Sequence, residues 1–204
     1  MSENEKYLLE LAKKGDIDAF EKLIEKYEKK VFNIALKLLG DYDDASETAQ
    51  EVFLKIFRSL AGFKEQSSFS TWIYRITTNV CFDVLRKRKN NNVVYIDEII
   101  ENEDEGMKRQ IPQKGDSVED IVEKKEIKEI LNEAIQNLSE EHRTVLVLRD
   151  IQGFSYEDIS EILNCPEGTV KSRLNRARKA LKEILKDKKE LFFDNYVKVK
   201  WKEG

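Results

Sequence analysis

The sequence has few residues that interrupt helices or crosslink a chain. Its 204 residues include only 8 Gly and 2 Pro, the residues least compatible with a helix interior. Cys81 and Cys165 are the two cysteines, far apart and without CxxC spacing, and His142 is the only histidine. This scarcity excludes a disulfide framework and a Cys/His zinc site, and it favours a reducing, cytoplasmic environment.

Long apolar runs are also missing. No stretch of 18 consecutive apolar residues occurs, and the start "MSENEKYLLE" has no basic region followed by an apolar run. We therefore expect no membrane span and no secretion signal. What is present, 40% hydrophobic and 37% charged residues, is typical of a helix-rich soluble protein with one or two domains.

The net charge of −4 conceals an uneven distribution of charge. Residues 90–137 carry 13 acidic and 6 basic residues, whereas "CPEGTVKSRLNRARKAL", Cys165 to Leu181, carries five basic residues and one acidic residue. Nucleic-acid binding depends on a local positive face, so a mildly acidic whole does not argue against it.

Apolar periodicity predicts an all-α fold. Apolar residues recur at three- and four-residue steps between residues 20 and 38, 45 and 60, and 69 and 80. Such spacing indicates amphipathic helices, the first of which ends at Gly40. Three helices with short connections predict a compact helical domain within residues 1–89.

The next segment predicts a linker. Residues 90–117 are acidic, contain Gly and Pro, and lack a sustained helical period. A flexible coil of about 28 residues spans roughly 30 Å on average and roughly 90 Å when extended. We therefore expect two small helical domains joined by a flexible acidic linker, able to engage DNA sites a helical turn or more apart. The second domain covers 118–186, and an aromatic C-terminal extension of undetermined role covers 187–204.

Within the second domain, "GFSYEDISEILNCPEGTVKSRLNRARKAL" has the pattern of a helix-turn-helix. Ser155 and Asp158 can form a capping box, and Pro166 can be the first residue of the next helix. Apolar residues of that helix share one face, which leaves the polar and basic residues outside. A basic helix end can simply complement the helix dipole in solvent. Here the basic helix follows a capped short helix and a break, and this combination favours a helix that reads DNA bases in the major groove.

Three blocks together carry a family resemblance: "DDASETAQEVFLKIF", "FSTWIYRITTNVCFDVLRKRK" and "LSEEHRTVLVLRDIQGFSYEDISEILNCPEGTVKSRLNRARKAL". They resemble regions 2 and 4 of the extracytoplasmic-function sigma factors, in the sigma-70 family of bacterial RNA polymerase, over nearly the whole chain. The resemblance implies a protein that binds core RNA polymerase, directs it to the −10 and −35 elements of promoter DNA and performs no chemistry itself. It implies no cofactor, and it implies an anti-sigma factor as a partner, often membrane-linked.

The resemblance also assigns roles by position. For core polymerase binding it indicates Asp44, Glu47, Gln50, Glu51, Val52 and Phe53. For recognition of the −10 element it indicates Trp72, Tyr74, Arg75, Asn79, Arg86 and Arg88. For recognition of the −35 element it indicates Lys171, Ser172, Arg173, Asn175 and Arg176.

Each assignment has a structural alternative. The acidic residues Asp44, Glu47 and Glu51 lie three and four positions apart, which suits a basic partner but also an ordinary solvated face. Trp72 shares an apolar stripe with its neighbours, so core packing is its simplest role. Tyr74, Arg75, Thr78 and Asn79 are less easily explained in that way.

Two other functions compete with this interpretation. A free-standing helix-turn-helix regulator contains a similar "GTVKSRL" run, but it leaves the first domain unexplained. A metal-dependent nuclease would need the acidic clusters to act with His partners or a phosphate-binding Gly loop, and the sequence has neither.

Overall fold

A computed structural model describes residues 3–92 and 118–186, and these ranges contain helices and no strand, which confirms the all-α prediction. Side chains are described for 3–89 and 127–186. The helices are α1 (Glu3–Lys13), α2 (Ile17–Leu39), α3 (Tyr42–Ser59), α4 (Phe69–Asn92), α5 (Val118–Gln136), α6 (Glu140–Leu146), α7 (Tyr156–Leu163) and α8 (Glu167–Ile184). We call residues 3–92 the first domain and 118–186 the second domain.

Two predicted segments fall mostly outside these ranges. The predicted C-terminal extension, 187–204, lies outside the described residues, and so do residues 93–117 of the predicted linker. The linker was expected to begin at Asn90, but α4 continues to Asn92. Asparagines are only mildly unfavourable in a helix, so three of them can prolong one that is already formed.

Local capping determines where the helices of the first domain begin and end. The Asp16 side chain accepts a hydrogen bond from Ala19 N at the start of α2, and Asp41 accepts one from Asp44 N at the start of α3. Gly40 ends α2 with a left-handed φ of 80°, as its position after the apolar stripe predicted.

Helix α1 was not predicted. It buries only Leu9 and Ala12 fully, so its apolar stripe is too narrow to be distinguished in the sequence from a polar terminus. Contacts with α2 hold it, including a hydrogen bond of 2.8 Å from the Tyr27 hydroxyl to the Glu5 carboxylate.

The helix-turn-helix is confirmed, with one difference at the start of its second helix. Ser155 and Asp158 form a reciprocal capping box at the start of α7, and Asn164 ends α7 in the left-handed conformation. Pro166 is the N-cap of α8 rather than its first residue, so the helix begins one position later than predicted. The apolar residues of α8 whose spacing predicted a shared face are buried: Val170, Leu174 and Ala177. Leu181, one turn further, is buried as well.

A π-helical turn, Val147–Ile151, connects α6 to the loop before α7. Arg149 donates to the Phe154 carbonyl at 2.7 Å, while Asp150 accepts two hydrogen bonds from Arg178 of α8, at 3.0 and 2.7 Å. The turn therefore orients α8 against the rest of the second domain.

The two domains pack against each other, and their buried apolar residues form one continuous cluster. Helix α4 lies against α7, and the carboxyl end of α2 lies against α5 and α6. The expectation that the two domains engage separate DNA sites thus applies to a conformation different from this docked one.

The carboxyl end of α2 is the centre of one interdomain contact. Its last four carbonyls have no partner within the helix, and each finds one here: Leu36 O accepts from Gly40 N, Lys37 O from Gln136 Nε2, Leu38 O from Arg143 Nη1 and Leu39 O from Arg88 Nη1. Two of these four donors belong to the second domain.

Replacing Gly40 tests this contact. A Cβ on Gly40 would lie 2.8 Å from the Gln136 side chain, whereas a Cβ on Gly15, at a φ of 93°, would meet nothing within 4 Å. We expect Gly15→Ala to lower the free energy of unfolding by about 1 kcal/mol through backbone strain alone. Gly40→Ala should cost about 1 kcal/mol more, because Gln136 must leave the Lys37 carbonyl. If chemical denaturation gives the same loss of unfolding free energy for both variants, the hydrogen bond from Gln136 to the Lys37 carbonyl contributes nothing to stability.

Candidate nucleic-acid and protein interfaces

Helix α3 presents one exposed face that is acidic at its edges and apolar at its end. Four polar residues, three of them predicted to bind core polymerase, recur at helical spacing with Leu54, which is 55% exposed. We call this set the α3 outer face; its members are Asp43, Glu47, Gln50, Glu51 and Leu54. Leu54, in the segment "VFLKIF", was not predicted to be part of a binding surface. An exposed leucine among carboxylates suits a partner with a basic and apolar surface.

The other predicted polymerase-binding residues have different environments. Val52 is 0% exposed, because it shares the buried stripe with Ala49 and Ile56, so its side chain supports α3 from inside. Phe53 is half-buried against the core. Asp44 forms an ion pair with Arg88 of α4 rather than facing solvent alone.

The residues predicted for the −10 element differ in their exposure and in their contacts. Asn79 and Arg86 are exposed, and Arg86 makes only a surface ion pair with Asp83 at 3.4 Å. Trp72 is half-buried and stacks on Phe69, with ring centroids 5.9 Å apart, so it combines a packing role with partial access. Arg88 is held by the Leu39 carbonyl and Asp44.

Tyr74 and Arg75 lie beneath the second domain. Tyr74 is 5% exposed, and its ring meets Phe154 edge-on at 5.0 Å. This burial raises the pKa of Tyr74 to about 12. Arg75 donates from Nε and Nη2 to the Glu161 carbonyl in α7, at 3.0 and 2.6 Å. They are two of the four residues that core packing in the first domain did not easily explain, and the second domain supplies their partners. Of the other two, Asn79 is exposed, whereas Thr78 is buried in the first domain and donates to the Tyr74 carbonyl, so core packing does explain it.

Helix α8 has an exposed cationic face. Ser172, Asn175 and Arg176 are exposed, and Lys179 continues the same face one turn further, although it was not among the predicted residues. Lys171 pairs with Glu167 at 2.9 Å and Arg173 with Glu141 at 3.3 Å. The donors of this face lie on one helix, as reading the major groove requires.

Comparison with known proteins matches both halves of the chain. A family model of sigma-70 region 2 matches residues 23–91, and one of sigma-70 region 4 matches residues 128–181. The ECF RNA polymerase sigma factor SigW of Bacillus subtilis is 39% identical over 176 residues, covering 86% of this chain and 93% of SigW. This chain belongs to the extracytoplasmic-function sigma factors. The ECF sigma-E factor of Escherichia coli K12 is 35% identical, covering 85% of this sigma factor and 90% of the relative.

Solved structures agree with this assignment. The sigma factor RpoE of Bartonella quintana, crystallised with the anti-sigma factor NepR, matches at a TM-score of 0.63 and 26% identity, covering 83% of this sigma factor and 98% of that chain. The region 2 match accounts for the first domain, which a free-standing helix-turn-helix regulator leaves unexplained. The regulator alternative is therefore not favoured.

Among the side chains that the structure describes, those of residues 3–89 and 127–186, no group of three or more His, Cys, Asp or Glu is arranged to hold a metal ion. Within residues 3–92 and 118–186, no helix has the length and apolar content that a bilayer crossing requires.

The two cysteines of the sigma factor differ in reactivity by their positions. Burial raises the pKa of the Cys81 thiol to about 12, whereas Cys165 is half-exposed in the turn before α8. Because the thiolate is the nucleophile, we expect a maleimide to label Cys165 readily at neutral pH and Cys81 only after denaturation. Mass spectrometry of the labelled peptides distinguishes the sites, and rapid labelling of Cys81 in the folded protein would contradict its burial.

Proposed function

We propose that this sigma factor binds core RNA polymerase through the α3 outer face and directs promoter-specific transcription initiation. The observation that carries the proposal is the combination, in one chain, of an exposed acidic and apolar face on region 2 with an exposed cationic helix in region 4. Glu47, Glu51 and Leu54 supply the charge and the apolar anchor that a basic protein surface would recognise. The protein acts in the cytoplasm as an initiation factor and not as an enzyme.

Recognition of the −35 element is assigned to α8. Arg176 and Lys171 can donate to guanine edges or phosphates, and Asn175 can pair with adenine in the major groove. Arg173 and Lys171 must exchange their surface carboxylate partners for DNA, a small cost because exposed ion pairs contribute little. Arg178 is engaged by Asp150 and serves to orient the helix.

Recognition and melting of the −10 element are assigned to α4. Unstacked bases need aromatic surface, polar groups for their edges and cations for the backbone. Trp72, Asn79 and Arg86 offer these at seven-residue spacing on one helix, and Tyr74 and Arg75, also predicted for this element, lie on the same helix against the second domain. We also propose control by an anti-sigma factor, as for the Bartonella relative crystallised with NepR.

In vitro transcription tests the proposal. Purified bacterial core polymerase is combined with a library of promoter fragments, with and without the sigma factor, and initiation should appear only when it is present. If core polymerase is active and no fragment responds, while the protein alone binds duplex DNA specifically, a free-standing regulator would replace the proposed function.

Arg176→Ala tests the role of α8. We expect the preference for a promoter with an intact −35 element over a scrambled one to fall about tenfold, because a good base contact is worth about 1–3 kcal/mol of discrimination. Lys182→Ala is the matched control, since Lys182 is an exposed cation further along α8 with its side chain in solvent. If Arg176→Ala keeps the same preference for the intact −35 element, Arg176 does not contact its bases.

A further inference from the structure

Helix α1 is joined by an ion pair to the segment that leads into α4. The Lys13 ammonium, in the last turn of α1, donates to the Glu65 carboxylate at 2.9 Å, across 52 positions of the chain. It also lies 5.6 Å from the centre of the Phe63 ring, at the start of the same segment. We call residues 63–68 the α4 loop. One lysine of α1 therefore contacts two residues of this loop.

The Lys13 side chain is unusually enclosed for a lysine. It is 18% exposed, and it donates to Glu10 of its own helix at 3.4 Å as well as to Glu65. The hydrogen bond between them raises the pKa of Lys13 and lowers the pKa of Glu65. Both shifts favour the charged forms, so the pair is intact at neutral pH.

The backbone of Glu65 needs a contact that holds it. Its φ is 56°, in the left-handed region that residues with a Cβ rarely adopt. Within the residues that the structure describes, one other non-glycine residue, Asn164, has a positive φ, and asparagine is a type that tolerates it. Glutamate is not such a type. The ion pair with Lys13 lies outside the loop and can hold Glu65 in this conformation.

The α4 loop borders Trp72 at both of its ends. At its start, the buried Phe63 ring lies 5.0 Å from the Trp72 ring, measured between centroids. At its end, the Ser68 carbonyl accepts from Trp72 N at 3.0 Å, and the Ser68 hydroxyl accepts from Thr71 N at 3.0 Å. Glu65 lies between these two fixed ends, so its conformation determines how the loop passes the half-buried Trp72 ring.

The loop and Trp72 offer complementary chemistry to a nucleobase. An unstacked base needs an aromatic surface for its ring and polar groups for its edges. Trp72 offers the first, and the α4 loop exposes polar side chains beside it at Lys64, Gln66 and Ser68. The two can act on one base only if the loop is held at a fixed position relative to the ring.

We propose that Lys13 is a positioning residue for the −10 element: through Glu65 it holds the α4 loop beside Trp72, so that the loop and the ring accept one unstacked base together. This inference rests on the proposed function, because it takes α4 as the −10 surface. It gives a role to α1, the helix that sequence periodicity missed. Lys13 acts through Glu65 and not by touching DNA.

Hydrogen exchange of the free, full-length protein tests the structural part. Lys13→Met keeps the apolar stem and removes the ammonium, and we expect the amides of the α4 loop to exchange about threefold faster, the order expected for one partly exposed ion pair. The charge swap Lys13→Glu/Glu65→Lys should restore slow exchange. Lys14→Met is the matched control, since Lys14 is an exposed lysine at the next position, and it should exchange as the wild type does.

Removal of single bases tests the functional part. Core polymerase carrying each variant binds the best promoter from the transcription experiment, with a pre-melted −10 element in which one non-template base at a time is replaced by an abasic site. For the wild-type protein, one such removal should weaken binding about tenfold, the order expected for a base stacked on an aromatic ring. With Lys13→Met the same removal should cost about threefold or less, because the loop no longer holds that base.

The controls separate positioning from a general loss of stability. A destabilised domain would weaken binding to every template equally, whereas positioning couples the side chain to one base. Lys14→Met should keep the full loss, and the charge swap should restore most of it. Glu65→Gln, at a position whose side chain is 54% exposed, should act in the same direction as Lys13→Met by less. It keeps the test valid if Lys13→Met unfolds α1.

Two kinds of failure are distinguishable. If Lys13→Met and Glu65→Gln lose as much affinity as the wild-type protein when the base is removed, or if loop exchange is unchanged, the role of Lys13 is overturned and the assignment of α4 stands. If no removal weakens binding of the wild-type protein, or no promoter responds to it, the proposed function of α4 fails and this inference fails with it.

Discussion

Reversing two charges on the α3 outer face, Glu47→Lys/Glu51→Lys, will weaken binding to core polymerase at least about 100-fold, because like charges brought together across an interface cost several kcal/mol. Both side chains are exposed, so the fold should be preserved. The measurement is the dissociation constant for core polymerase, by fluorescence anisotropy of the labelled protein. Transcription should fall in parallel at subsaturating protein.

The chain offers a close control for this reversal. Glu21 and Glu25 are also exposed, four positions apart and in the same domain, but on α2. Glu21→Lys/Glu25→Lys makes the same change in net charge without altering the α3 outer face. If both double variants lose affinity equally, binding responds to overall charge, and the assignment of α3 would be wrong.

Arg143→Met will lower the free energy of unfolding by about 3 kcal/mol, because several buried carbonyls lose a charged donor at once. Leu38 O loses its interdomain partner, and Gln136 O and Leu138 O lose partners within the second domain. Methionine retains much of the side-chain volume, so the loss reports hydrogen bonding more than a cavity. The measurement is urea denaturation followed by circular dichroism.

Arg58→Met is the control for Arg143→Met. Arg58 is exposed on α3, and surface substitutions of this kind usually change stability by less than about 0.5 kcal/mol. A similar small loss for Arg143→Met would mean that water replaces its hydrogen bonds freely, contrary to its burial.

Sequence periodicity was sufficient for the elements whose structure depends on nearby residues. The stripe that buries Val170, Leu174 and Ala177, the Ser155 capping box and the left-handed Gly40 all follow from spacing within one or two turns. Helix α1 was missed because two fully buried residues in eleven leave too weak a period.

The domain contacts could not be predicted in the same way. Arg143 stands in "EEHRTV", where neighbouring charges indicate a solvated helix start, and its partner Leu38 is more than a hundred positions away. Nothing local marks a backbone carbonyl as the partner of Arg75 either. Contacts of this kind depend on which helix ends meet in space, and the pattern of side chains along one helix carries no information about that.

Two interdomain contacts, Arg143 on the carboxyl end of α2 and Arg75 on α7, connect parts of a single polypeptide, and this determines how they respond to concentration. Separate proteins with such contacts would dissociate on dilution, but tethered partners re-encounter each other at a fixed local concentration. The docked fraction of this sigma factor is therefore the same in a cell with few copies as in one with many. A competitor for the contacted surfaces lowers it.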